Sequence, residues 1–245
     1  MGLFEAKYCD ICGEKIKFLG NKKLEDGRMC KSCESKLSPF FTERRHTTLE
    51  DIKAQLEYRE DNKAAVETFN ATRTLGKRTK LMIDEAAGKF IVSSQKNYKE
   101  ENPDVVGLDQ ITDVLLDIKE NKTEKTWENS KGDYVSYNPP RYDYHYDFDV
   151  LIRVNATYFD EIRIPLDSYV EVDEEAVRYG TYSPDYNENV SLGNEIKEAL
   201  LAGRSAARQD SVSHETARAV QCPLCGATTI PDKHGCCEYC GGAIV

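Results

Sequence analysis

Eight of the nine cysteines in this 245-residue sequence fall into four CxxC pairs, two near each end. Cys9 and Cys12 are followed after 17 intervening residues by Cys30 and Cys33, and Cys222 and Cys225 are followed after 11 by Cys237 and Cys240. A CxxC turn lets two thiolates reach one ion, because the backbone between them folds back and directs its amides at the sulfurs. Each end therefore supplies four thiolates, the complete tetrahedral set of a structural zinc ion, and the sequence predicts two such ions. Four protein ligands leave no position for water or substrate, so the same spacing argues against catalytic zinc.

Gly13, Gly226 and Gly241 stand just after the second cysteine of three pairs, where a left-handed backbone is expected. The Cys30–Cys33 pair lacks that glycine and is followed by Glu34 and Lys36, which suits a short helix leaving the site. Disulfides and redox CxxC motifs are the competing readings. No apolar leader precedes the first pair, reduced thiols fit a cytoplasmic chain, and redox motifs do not come in twos at ribbon spacing. Cys236 would need a three-residue spacer to Cys240, so Cys237 is the expected ligand. His234 is close enough to substitute, but four cysteines already fill the shell.

The formal net charge is −10, hydrophobic residues make up 40% and charged residues 31%, and no run approaches the length of a membrane span. Residues 1–48 carry 10 basic and 7 acidic side chains, whereas residues 97–190 carry 9 and 22. Zinc held by four thiolates adds a charge of about −2 at each end. Phosphate contact needs clustered cations. Only the first module offers them, as Lys15, Lys17, Lys22, Lys23 and Arg28, and a solvated surface accounts for these better.

Between the metal modules, Thr47 and Glu50 read as a capping box ahead of Leu49, Ile52 and Leu56, with a break around Asp61 and Asn62 and a stop at Gly76. From Lys80 the period becomes that of strands. Leu81–Asp84 and Lys89–Ser93 flank a turn with Gly88 at a bulge position, and the latter part of Leu108–Ile118 reads as a strand. Residues 119–138 read as a polar loop. Tyr142, Tyr144, Tyr146, Phe148, Val150, Ile152 and Val154 share one strand face, a partner strand follows through Phe159, Ile162 and Ile164, and Leu192, Ile196, Ala199 and Leu200 mark a closing helix. Gly203 to Gln221 reads as a linker. Asp143, His145 and Asp147 share the opposite strand face at metal-compatible spacing, but a wet face explains them better. The tyrosines at the start of that strand, beside Asn138-Pro139-Pro140, are the best candidate for a partner-binding loop.

The stretch from Tyr8 to Ile16, with Leu24-Glu-Asp-Gly and Cys30-Lys-Ser-Cys33 behind it, resembles the N-terminal zinc ribbon of a family of uncharacterised bacterial proteins. The hairpin Leu81–Val92, the segment Ile111–Ile118, the strand pair near 148–164 and the helix near 192–200 resemble a bacterial pleckstrin-homology-like domain. The tail from Cys222 is similar to many short zinc ribbons. The expected class is α+β: a ribbon over 1–45, a helical connector over 46–76, an antiparallel domain over 77–203, a linker over 204–220 and a ribbon over 221–245. The resemblance implies an adaptor or scaffold with a protein partner and brings no catalytic residues. A nucleic-acid-binding regulator using the first ribbon is the alternative, and an enzyme built from scattered groups such as His145 is a third. GxSxG, Walker, HExxH and dinucleotide motifs are absent from the sequence. The acidic centre departs from pleckstrin-homology domains that present basic loops to phosphoinositides.

Overall fold

The computed structural model describes residues 6–17, 20–42, 44–218, 220–231 and 235–244, with the backbone alone for Arg44 and residues 210–218. The chain is mixed α and β with antiparallel sheets, and its two cysteine sets flank a β-rich centre. The first module is built from strand β1 (Asn21–Lys23), strand β2 (Arg28–Cys30) and a one-turn helix α1 (Lys31–Glu34). Helix α2 (Leu49–Thr68) follows. Its cap is Thr48 with Asp51, one residue later than the Thr47/Glu50 pair expected, and both halves of the box are formed. Asp26 explains the shift, because its carboxylate accepts the Leu49 N–H at 2.7 Å and thereby fixes where the helix begins.

Helix α2 runs without a break through Asp61 and Asn62 and ends at Thr68, eight residues before the expected stop. The apolar stripe turns polar instead of ending: Ile52, Gln55, Arg59, Asn62 and Val66 all face inward at helical spacing. Strand β3 (Arg73–Gly76) takes the place of the expected helical continuation, and with β4 (Lys80–Asp84), β5 (Lys89–Ser93) and, after a short helix α3 (Tyr98–Glu101), β6 (Val106–Gly107) it makes a four-stranded sheet in that order. Residues 81–84 and 90–93 are buried on both faces. One face enters the main core; the other meets Phe69, with Tyr98 and Val105 packed against it. Double burial accounts for their uninterrupted apolar runs.

The second sheet holds β7 (Ile111–Glu124) at one edge. Residues 119–124 of the expected 119–138 loop are thus strand, and most of the rest is a small hairpin of β8 (Thr126–Glu128) and β9 (Tyr134–Ser136). The polar sequence there misled because this stretch extends beyond the core, so alternation has no apolar side to display. Strand β10 (Tyr142–Val154) spans the segment read from the sequence, pairing with β7 on one side and β11 (Glu161–Val172) on the other. Phe148, Val150 and Ile152 are fully buried, and Asp143, Asp147 and Arg153 lie on the opposite face. Helix α4 (Glu174–Tyr179) leads to α5 (Pro184–Arg218), which covers the core with Ile196, Ala199 and Leu200. The expected linker is the second half of this helix up to Arg218. Arg204 donates to the Thr112 carbonyl at 2.9 Å and Arg208 to that of Ile111 at 3.1 Å, so the helix is anchored to β7 beyond residue 203. Strands β12 (Val220–Gln221) and β13 (Thr228–Thr229) belong to the last module.

Candidate metal centres

Three of the four CxxC pairs fold into one backbone pattern. The first cysteine's N–H donates to the carbonyl five residues on, from Cys9 to Glu14 at 2.9 Å, Cys222 to Ala227 at 2.8 Å and Cys237 to Gly242 at 2.7 Å. Gly13, Gly226 and Gly241 donate back to the first cysteine's carbonyl, each in the left-handed region with φ of 74°, 72° and 69°. The residue before each first cysteine forms a ladder pair across this turn: Tyr8 with Lys15, Gln221 with Thr228, and Cys236 with Ala243. The Cys30–Cys33 pair departs as expected. Cys30 caps α1, its sulfur accepting the Cys33 N–H at 3.4 Å.

In each set the four sulfurs lie within 4.8 Å of one another. Measured edges are 3.9 Å for Cys9–Cys33 and 3.8 Å for Cys12–Cys30, then 3.6 Å for Cys222–Cys240 and 3.7 Å for Cys225–Cys237. A zinc–sulfur bond of about 2.3 Å gives a tetrahedron whose edges are about 3.8 Å. The sulfurs therefore fit the ion, and two structural zinc sites follow, one near each end. Cys236 lies outside the second set because neighbouring residues on an extended strand point to opposite sides. His234 falls outside the described residues.

Local electrostatics favour partly ionised sets. Burial pushes the Cys9 thiol up, but backbone N–H groups of Cys12, Cys30 and Ile11 outweigh it and hold it at about 7. The Cys225 and Leu224 N–H groups likewise hold Cys222 at about 7. Burial and the three neighbouring sulfurs push Cys33 far up. The Gly242 N–H lowers Cys240, yet the sulfurs of Cys225 and Cys222 drive it to about 12. One thiolate forms readily and the last resists, so a cation at the centre is what makes all four ionise together.

The first site is tied to the rest of the chain. Cys9, Cys30 and Cys33 share a buried cluster with Met29, Leu37 and Ile52, with Leu49 and Leu56 of α2 packed against it. Residues 7–55 match the DUF4428 family, a domain of unknown function. The matched stretch takes in the first ligand set and the start of α2, the same residues that form this cluster. No curated protein and no solved structure matches the chain.

Asp143, His145 and Asp147 do not converge. Asp143 pairs with Lys125 at 2.6 Å, Asp147 accepts from Tyr169 N at 3.0 Å and Asn121 at 2.9 Å, and His145 stacks on the Tyr169 ring. Among the described residues the two cysteine sets are the metal-ligating clusters found. Asn138-Pro139-Pro140 is exposed, with Arg141 over the Tyr137 ring. Arg59 and Asn62 were signalled only by the polar continuation of the inward stripe of α2, which reads equally as a helix break, and Asp104, between α3 and β6, carried no local signal.

Proposed function

We propose that this chain is a non-enzymatic, zinc-binding adaptor of the cytoplasm that joins protein partners. The observation that carries the reading is the pairing of two closed four-thiolate sites with apolar side chains displayed at the tip of the second. Leu224 and Tyr239, the residues before the second cysteine of each knuckle in the last ribbon, are 72% and 73% exposed, and Ile230 of the same module is also exposed. The equivalent residue of the first ribbon, Ile11, packs against that module's buried cluster. Apolar side chains left uncovered on so small a module suit a protein contact.

The central domain supports the same reading. A four-stranded and a three-stranded antiparallel sheet pack around one core closed by a C-terminal helix, and reading this as a pleckstrin-homology-like domain is part of the same proposal. Its acidic surface disfavours anionic lipid and nucleic acid. In the first ribbon Lys22 is paired with Glu34 at 2.8 Å, and exposed Glu14, Glu25 and Asp26 interrupt the remaining cations. No helix among the described residues is long and apolar enough to cross a membrane.

Quantitative affinity purification tests the reading. The intact chain should retain protein partners that a Leu224→Ser/Tyr239→Ser chain, with unchanged zinc content, loses. Retention unaffected by the pair, or binding to nucleic acid that weakens steeply as salt rises, would count against it.

A further inference from the structure

Between the first metal module and the central domain lies a buried polar junction. Arg59 of α2 is 8% exposed in its side chain, and Asp104, between α3 and β6, is 0%. The guanidinium donates to Asp104 Oδ1 at 2.8 Å, to the Lys36 carbonyl at 3.3 Å and to the Asn102 carbonyl. The second oxygen of Asp104 accepts the Ser38 hydroxyl at 2.7 Å. One turn along α2, Asn62 donates to the Pro103 carbonyl at 2.8 Å and accepts the Val105 N–H at 3.0 Å, so the 102–105 segment is held on both sides. Lys36 and Ser38 come within five residues of the ligand Cys33. Their position depends on α1, which is capped by the ligand Cys30 and contains the ligand Cys33.

Two aromatic pairs continue the seam: Phe40 against Phe159 with centroids 5.5 Å apart, and Tyr58 against Tyr158 at 5.2 Å. A cleft of about 610 Å³ opens along it, lined by Phe40, Phe41, His46, Ala54, Tyr158 and Phe159 among others. Burial pushes the Asp104 carboxyl up against the opposing pull of Arg59 and Ser38, as expected for a charge that depends on its partners.

We propose that the first zinc site is a metal-responsive latch: zinc held by Cys9, Cys12, Cys30 and Cys33 fixes Lys36 and Ser38 against the Arg59–Asp104 pair, and loss of that zinc releases the module from the central domain and opens the aromatic seam. None of the described residues of the last ribbon takes part in this junction, so its zinc carries no such control. The inference rests on the fitted zinc sites and not on the identity of any partner.

Coupling between metal and latch is reciprocal, so weakening the latch must loosen the zinc. In a full-length Cys225→Ser chain only the first site binds zinc tightly, and transfer to a chromogenic chelator reads that site. Adding Ser38→Ala or Asp104→Asn should lower that site's zinc affinity, read from the equilibrium partition with the chelator, roughly tenfold, within the range usual for coupled sites. In the chain with all eight ligands, the same substitutions should accelerate one phase of release and leave the other unchanged. Hydrogen exchange should show the 102–106 segment and the middle of α2 losing protection when the first site is stripped. Should Asp104→Asn fail to fold, Ser38→Ala, which removes one hydroxyl, carries the test. Zinc affinity of the first site unchanged by the substitution, or both phases of release accelerated alike, overturns the proposal.

Discussion

Cys236 and Cys237 are adjacent, yet only the second reaches the metal, and the reason is register. Cys236 occupies the ladder position that Tyr8 and Gln221 hold in the other two knuckles, paired across the turn with Ala243. Replacing Cys237 with Ser should remove one zinc equivalent and unfold the last ribbon, since metal binding in such modules supplies folding free energy on the order of 10 kcal/mol. Replacing Cys236 should leave zinc content at two, as measured by mass spectrometry under native conditions. The ligand set was legible because CxxC spacing alone selects it. The latch residues were not, because Arg59 and Asp104 meet only through tertiary packing, 45 positions apart.

At the scale of elements, the start of α2 shows how a neighbour decides between two equally good local signals. Thr47/Glu50 and Thr48/Asp51 both offer a cap by composition, and the Asp26 carboxylate on Leu49 N–H selects the second. Thr48→Ala should cost about 1 kcal/mol of stability, read by chemical denaturation. The Thr48 hydroxyl and N–H hold Asp51 below the usual carboxylate range. A depressed folded value means that this contribution is present above the unfolded value near 3.9 and fades as pH falls through the folded one. An NMR titration should place Asp51 low in the intact chain and return it toward the ordinary range in Thr48→Ala. The strands were readable where one or both faces are buried, as in β4, β5 and β10. The C-terminal end of β7 and the 126–136 hairpin were not, because strands with little burial on either face carry no apolar alternation to read.

Across the whole molecule, the two metal modules differ in how they join the centre. The first shares a buried cluster with α2 and the polar junction at Asp104, whereas the last follows α5, which Arg204 and Arg208 anchor to the central domain. Composition made residues 203–221 read as a linker, since Ala, Ser and Arg serve a spacer and an exposed helix face equally well. A chain ending after Arg208 should therefore keep a cooperative thermal transition. One ending after Gly203 should melt at a lower temperature, having lost the contacts of Arg204 and Arg208 with β7. Arg59→Ala, which strands the buried Asp104 carboxylate, should cost about 3 to 5 kcal/mol.

Two closed zinc sites are the premise on which the adaptor reading and the latch both stand, and metal stoichiometry combined with thiol labelling tests them most directly. Protein purified without added zinc should carry two zinc ions, and an alkylating reagent should modify it at Cys236 at most, with all nine cysteines becoming reactive after chelation under denaturing conditions. A single zinc equivalent, or labelling of any of the eight ligand cysteines in the metal-loaded chain, would contradict the account.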